Sequence, residues 1–319
     1  MHPLVARLHP ALRTAVVAWL TSRVIIWSAA PSKTLVVADG SPLSGLTAAA
    51  LDAISATPGP WSQLTMAAPW IVLEVVLLVA GIAVYRFARS TDLPQLAERA
   101  CWLWFFNPVL AISAGDWGAQ MAVACGALAI AGVAIHHPRR AALAALVATG
   151  CRLEFVILWP AMAIAAWHHR RDKRHGPVST AMAIGAIPVA FITWIAITLY
   201  LAGSANTSLR SVHGEALWRE SLSLGAASST DMVLMALAAI LAAIAFGSAR
   251  RFPLWYLLAA LPPVAWLFLK VPASAAAVPL TWALPLFVYV AAATDDRSIE
   301  RPLMVAMAVA FTAIAFAPG

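Results

Sequence analysis

Long apolar runs recur along the whole chain and are separated by short polar or basic segments. Runs that approach about 20 residues are typical of α-helices that cross a lipid bilayer. We therefore expect an all-α polytopic membrane protein. The pattern predicts nine spans, at residues 14–30, 69–88, 100–114, 119–135, 178–201, 230–247, 253–269, 274–293 and 302–317.

The composition of the chain agrees with this pattern. Hydrophobic residues make up 62% of the 319 positions and charged residues 11%, and the mean hydropathy is +0.83. A soluble domain carries roughly a quarter charged residues. Since no hydrophilic stretch is long enough to form a separate soluble domain, we expect a single transmembrane domain over residues 1–319.

Basic residues are concentrated in alternate loops. Fifteen of the 21 Lys and Arg residues lie near the N-terminus or in loops on its side of the predicted bundle. Because basic loops stay in the cytoplasm, we expect a plasma membrane protein with a cytoplasmic N-terminus. Two long loops, residues 31–68 and 202–229, then lie outside. Orientation in the membrane accounts for the formal net charge of +7, so membrane lipids are the expected surroundings and no nucleic acid partner is expected.

Segment 141–167 does not fit a simple span. It is preceded by "HHPRR" and followed by "HHRRDKRH", and both flanks favour the cytoplasm. The sequence "CRLE", at 151–154, interrupts it. Two half-helices that enter and return on the same side satisfy both flanks, because irregular backbone is tolerated where protein or a wet cavity surrounds it. One long tilted span, with one basic loop misplaced, is the alternative.

The stretch "FFNPVLAISAGDWGAQ" also breaks an apolar run. Pro108 cannot donate a helical hydrogen bond, so it should shorten or bend the helix in which it lies. "GDWGA" predicts a tight turn at the outer surface. Asp116 in this turn is a candidate for orienting a substrate or a cation, and a cap of the following helix is its simpler interpretation.

The two outer loops carry the clearest candidates for chemistry. Asp52 follows a short apolar run, where a carboxylate can act as a general base toward a hydroxyl. Asp39 lies in "ADGSP", which is typical of a turn. Arg210, His213 and Arg219 could bind a phosphate. All five could instead be solvated loop residues.

Four charged residues lie within apolar segments, where charges are costly and usually face the protein interior. Arg23 and Glu74 are on consecutive spans, and we expect them to form a structural ion pair. Arg152 and Glu154 are two positions apart and would point to different sides of a helix, so each needs another partner.

Cysteine and histidine give no sign of a cofactor. Cys101, Cys125 and Cys151 are far apart in apolar segments, which argues against a disulfide framework. The pairs at 136–137 and 168–169 are histidines surrounded by arginine, which disfavours a metal. We expect neither a metal nor another cofactor.

Several stretches resemble a known family. "FFNPVLAISAGDWGAQMAV", followed by a span, a basic turn and "AALAALVATGCRLEFVI", resembles the membrane mannosyltransferases related to the PIG-V family, in the GT-C class. Asn107–Pro108, Trp117 and Arg152 fall at motif positions of that family, and Ser22–Arg23 fits its first helix. "LDAISATPGPW", "MAAPWIVLEV" and "WALPLFVYVA" resemble further segments. The resemblance implies a GT-C-like bundle of about nine spans plus a pair of half-helices.

The resemblance also implies a reaction. A sugar, expected to be mannose, would pass from a polyprenyl-phosphate donor in the bilayer to a hydroxyl acceptor outside. Asp52, with Asp39 as the second candidate, would take the proton, and outer-loop arginines would stabilise the leaving phosphate. The candidate substrate-binding residues are Asp116, Trp117, Gln120, Arg152, Glu154, Arg210, His213 and Arg219.

Two other functional classes stay open. Leu51 stands where the family has a Trp before its catalytic Asp, and the Glu expected after Trp117 is missing, with Gln120 the nearest polar residue. The late Arg-Tyr of the family is also missing. These departures favour a non-catalytic relative that binds a lipid-linked sugar or a partner membrane protein. A transporter of lipid-linked sugars would suit a broken helix as well, although no inverted repeat is visible.

Overall fold

A computed structural model describes residues 9–29, 43, 47, 62–90, 96–107, 110–111, 113–134, 137–152, 155–156, 159–171, 176–203 and 297–316. Eight α-helices and one 3-10 turn organise this part of the chain. They are α1 (Pro10–Ala29), α2 (Ser62–Arg89), α3 (Leu96–Phe105), the 3-10 turn Ser113–Gly115, α4 (Trp117–Ala134), α5 (Pro138–Cys151), α6 (Trp159–Arg171), α7 (Pro177–Gly203) and α8 (Arg297–Phe316).

The prediction of an all-α fold is confirmed for the described residues, but the nine spans are not. Two helical segments, Ala67–Arg89 and Pro177–Ile197, are long and apolar enough to cross a membrane by length and composition. Trp117–Val133 and Met304–Phe316 are shorter apolar helices. Three predicted spans, at 230–247, 253–269 and 274–293, lie outside the described residues.

The described helices bury many alanines and also leave many large apolar side chains exposed. Ala15, Ala122 and Ala145 are each completely buried, whereas Val24 and Ile192 are 59% and 66% exposed. Small residues let helix backbones approach closely, which is how helices associate where water does not drive their packing. An outer surface with this many large apolar side chains is typical of helices that face lipid.

The interior of the bundle is organised around α4. This helix packs against α2, α5 and α6, and α7 packs against both α5 and α6. Helix α1 packs against α2, α3 and α8. Helix α4 is therefore in contact with helices that precede it and with helices that follow it in the described chain.

The predicted span at 100–114 is not a continuous helix. Helix α3 ends at Phe105, and the backbone N–H of Leu110 then bonds to the carbonyl of Asn107 at 2.9 Å. A 3-10 turn at Ser113–Gly115 precedes α4. The helix ends just before Pro108, as expected for a residue that cannot donate to the preceding turn and that restricts the residue before it. The span is thus corrected to a helix of 10 residues that ends at Phe105, with Leu110 and Ala111 helical again before the 3-10 turn.

Segment 141–167 is broken at Arg152, as predicted. Arg152 has the extended backbone angles φ −148° and ψ 114° and ends α5, and α6 begins at Trp159. Helices of 14 and 13 residues are each about 20 Å long, which is short of a bilayer core of about 30 Å.

Two sets of contacts show that the chain turns back after α5. Arg152 contacts Asp116, which immediately precedes α4. Three residues later in the chain, the ring of Phe155 lies against Gly126, which is more than two turns further along α4. Along α7, Gly150 lies against Trp194, whereas the indole of Trp159 bonds to the carbonyl of Ile184. The two short helices therefore double back, as two half-helices would.

Candidate functional site

The predicted ion pair between Arg23 and Glu74 is confirmed. Nε of Arg23 lies 2.9 Å from Oε2 of Glu74, and the indole N–H of Trp19 donates to the same oxygen at 2.7 Å. The Arg23 side chain is 3% exposed and the Glu74 side chain 22%. A guanidinium this deep in an apolar bundle is retained because a carboxylate accepts its hydrogen bonds.

Gln120 extends this pair to α4. Its Oε1 accepts a hydrogen bond from Nη2 of Arg23 at 3.2 Å, and its Nε2 donates to the carbonyl of Ser113 at 2.9 Å. Gln120 is 1% exposed and Ser113 4%. Both ends of the amide are thus occupied by protein groups from α1 and from the turn before α4.

Asp116 caps α4 and also pairs with Arg152. Its Oδ1 accepts a hydrogen bond from the backbone N–H of Ala119 at 2.8 Å, so the predicted capping role is confirmed. Its Oδ2 lies 2.6 Å from Nη2 of Arg152. The partner that Arg152 needs inside its apolar segment is therefore Asp116, 36 residues earlier in the chain and just before α4.

Trp117 ties the start of α4 to α2. Its indole N–H donates to the carbonyl of Pro69 at 2.9 Å, and its side chain is buried. Asn107, before the turn that leads to α4, is also buried.

Together these residues form one polar network, which we name the α4 network: Trp19, Arg23, Glu74, Ser113, Asp116, Gln120 and Arg152. Its two cations are matched by two carboxylates, so its formal charge is neutral. The Asp116–Arg152 pair is its more accessible end, with side chains 27% and 17% exposed. At that end, the guanidinium can donate hydrogen bonds to a polar ligand, and the carboxylate can accept hydrogen bonds from it.

The basic ends of the described helices lie away from this network. Arg86 and Arg89 end α2, Arg139 and Arg140 begin α5, and Arg171 ends α6. Gly132 near the end of α4 lies against Ala141 near the start of α5, so the basic start of α5 is at the opposite end of α4 from Asp116. This separation of charge is what the predicted orientation requires.

Several predicted site residues lie outside the described residues: Asp39, Asp52, Glu154, Arg210, His213 and Arg219. Their roles stay predictions. Of the predicted substrate-binding set, the structure brings together Asp116, Trp117, Gln120 and Arg152. All three cysteines are buried and none forms a disulfide, and no group of metal-binding side chains is found in the part of the chain that the structure describes.

The link between Arg23 and Gln120 was missed in the sequence, although both residues were singled out. A signal was present, because Gln120 is the polar residue one turn after Asp116 in an otherwise apolar helix. Residues four apart share a helix face. Sequence spacing alone does not say which distant helix that face meets.

Comparisons with known proteins leave the family open. No protein-family model, no curated protein and no solved structure matches this chain.

Proposed function

We propose that this protein is a multi-pass plasma membrane glycosyltransferase of the GT-C class. It transfers a sugar, expected to be mannose, from a polyprenyl-phosphate donor to a hydroxyl acceptor on the extracytoplasmic face. The observation that carries the proposal is a convergence in space. The segments that carry the family resemblance are far apart in sequence, yet Arg23, Trp117 and Arg152 all take part in contacts around the first turn of α4.

Two features of the fold support the proposal. Trp117 bonds to Pro69, which belongs to another of the resembling segments. The Asp116–Arg152 pair stands at the turn between the two short helices, at the end of α4 opposite the basic helix ends. A donor with a lipid tail and a polar head needs an apolar surface next to such a polar group, and large apolar side chains are exposed on the surrounding helices.

The proposed transfer forms one bond to C1 of the sugar and breaks another. The acceptor hydroxyl oxygen attacks C1 of the sugar, and the bond from C1 to the phosphate oxygen breaks. Polyprenyl phosphate leaves with that electron pair, and the hydroxyl proton passes to Asp52, which later releases it to water. Cationic side chains that face the phosphate lower the cost of its growing charge.

A transfer assay with two variants tests the proposal. The full chain, reconstituted in lipid nanodiscs, is given a radiolabelled polyprenyl-phosphate mannose and a membrane lipid extract as the source of acceptor. Asp52→Asn keeps the size of the side chain and removes its basicity, so transfer should fall by at least about 100-fold, as for loss of a general base. Asp39→Asn is the matched control and should lose less.

Binding of the donor separates the two remaining possibilities. Mass spectrometry of lipids that copurify with the protein should find a polyprenyl-phosphate hexose in the wild type and in Asp52→Asn. Retention of this lipid without any transfer would favour the non-catalytic relative, which the missing Trp and Glu motif residues also favour. A protein that neither retains this lipid nor transfers its sugar would refute the proposal. Loss of transfer in Asp39→Asn but not in Asp52→Asn would assign the role of base to Asp39.

A further inference from the structure

Gln120 lies between the two ion pairs of the α4 network. On one side it accepts a hydrogen bond from Arg23, which is held by Glu74. On the other side its amide donates to the carbonyl of Ser113 at 2.9 Å. The backbone N–H of Asp116 donates to this same carbonyl, also at 2.9 Å. The Gln120 side chain and the Asp116 backbone thus share one acceptor.

We infer that Gln120 is a positioning residue that sets the orientation of Arg152 through Asp116. The shared carbonyl of Ser113 fixes the 3-10 turn and with it the backbone of Asp116. One carboxylate oxygen of Asp116 is then held by the N–H of Ala119, which leaves the other directed at Nη2 of Arg152. A shift in this turn changes where the carboxylate can meet the guanidinium.

Because Gln120 and Ser113 are buried, the position of Asp116 should depend strongly on the Gln120 amide. Gln120 and Ser113 are 1% and 4% exposed, so water does not readily replace a lost bond. Arg23 anchors Gln120 from α1, which is packed against α2 and α3. Helices from the first third of the chain therefore constrain the break between α5 and α6. Only the consequence for substrate, through Arg152, rests on the proposed function.

Hydrogen–deuterium exchange on the full chain in detergent tests the inference. Gln120→Met keeps the length and removes the amide. We expect exchange in a peptide that covers Ser113–Ala119 and in one that covers Arg152 to rise by about tenfold or more, since buried bonds are lost in both places. Thr180→Val is the control, because Thr180 is equally buried and bonds only to the carbonyl of Gly176 in the described structure. Thr180→Val should leave the exchange of both peptides unchanged.

The route through Asp116 is tested by combining variants. Asp116→Ala should speed exchange at Arg152, and adding Gln120→Met should speed it no further. Exchange that rises only in the 113–119 peptide of Gln120→Met, or effects of the two changes at Arg152 that add in full, would overturn the inference. If Gln120→Met does not fold, Gln120→Glu serves instead, since an ionised carboxylate can accept from Arg23 but cannot donate to Ser113.

Activity gives a readout that a purely structural role would not move. If the donor is bound and transferred, Gln120→Met should raise KM for the donor more than it lowers kcat, and Thr180→Val should change neither. Absence of any transfer by the wild-type protein would refute the proposed function, but the exchange experiment would still test the role of Gln120. If the wild-type protein is an active enzyme and Gln120→Met leaves exchange at Arg152 unaltered, the role of Gln120 would be refuted and the proposed function would not.

Discussion

Arg23 and Glu74 illustrate, at the scale of single residues, how a charge is kept inside an apolar bundle. The more deeply buried partner is the arginine, with 3% of its side chain exposed against 22% for the glutamate. Breaking such a pair leaves one charge without its partner, whereas replacing both partners with apolar residues removes both desolvation costs. The pair is therefore expected to be strongly coupled.

The two single replacements should differ in cost. Glu74→Leu leaves the buried guanidinium without its carboxylate and should destabilise by on the order of 3 kcal/mol. Arg23→Leu should cost less, because the remaining carboxylate is partly exposed. The double variant should lose clearly less than the sum of the two. Thermal unfolding in detergent measures all three.

An exposed arginine provides the control for this series. Arg140, in the first turn of α5, is exposed, and Arg140→Leu should leave the unfolding midpoint nearly unchanged. Additive losses from Arg23→Leu and Glu74→Leu would mean that the pair contributes no coupling. Unchanged midpoints in both single variants would contradict its importance altogether.

At the scale of elements, close helix contacts at glycine hold the broken segment in place. A Cβ atom at Gly126 would overlap the ring of Phe155, just after the break, and one at Gly150 would lie 2.6 Å from the indole of Trp194. Both rings need the space that glycine leaves. These two contacts fix the end of α5 against α7 and the chain after Arg152 against α4.

Gly126→Ala should therefore destabilise the fold. Phe155 is completely buried and cannot move aside cheaply, so we expect a loss of about 1–3 kcal/mol, as for other overpacked cores. Gly185→Ala is the matched control, since nothing lies within 4 Å of a Cβ there. Alanine in that helix interior should be neutral or add about 0.5–1 kcal/mol. Equal unfolding midpoints for the two variants would refute the close contact at Gly126.

At the scale of the whole molecule, the reversal after α5 has a consequence for topology. If α5 and α6 return to the side from which they came, the loop after Arg171 lies on the same side as the basic start of α5. Gly176 is exposed and has no neighbour within 4 Å of an added Cβ, so a cysteine there is reachable from its own side.

Labelling in intact cells tests this topology. Gly176→Cys should not react with a membrane-impermeant maleimide until the cells are permeabilised. Lys33→Cys, in the predicted outer loop, is the positive control and should react at once. The native cysteines are buried, so they should give little background. Efficient labelling of Gly176→Cys from outside would instead mean that 141–167 crosses the membrane once.

The sequence alone was enough for features that depend on local chemistry. The end of α3 before Pro108 and the cap at Asp116 follow from the backbone chemistry of single residues. The all-helical fold of the described residues follows from the long apolar runs, and the break at Arg152 from the two basic flanks of its segment. The Arg23–Glu74 pair was also predictable, because two lone charges on consecutive apolar helices leave few partners.

Only the tertiary structure decided which distant groups meet. Arg152 needed a partner, but nothing in its spacing points to Asp116 rather than another carboxylate, and nothing in Gln120 points to Arg23. Apolar helices carry weak directional information, since every face of such a helix can be buried. Helix rotation and pairing were set by close contacts at small residues such as Gly126 and Gly150, and these contacts depend on shapes that two segments acquire only when they are packed together.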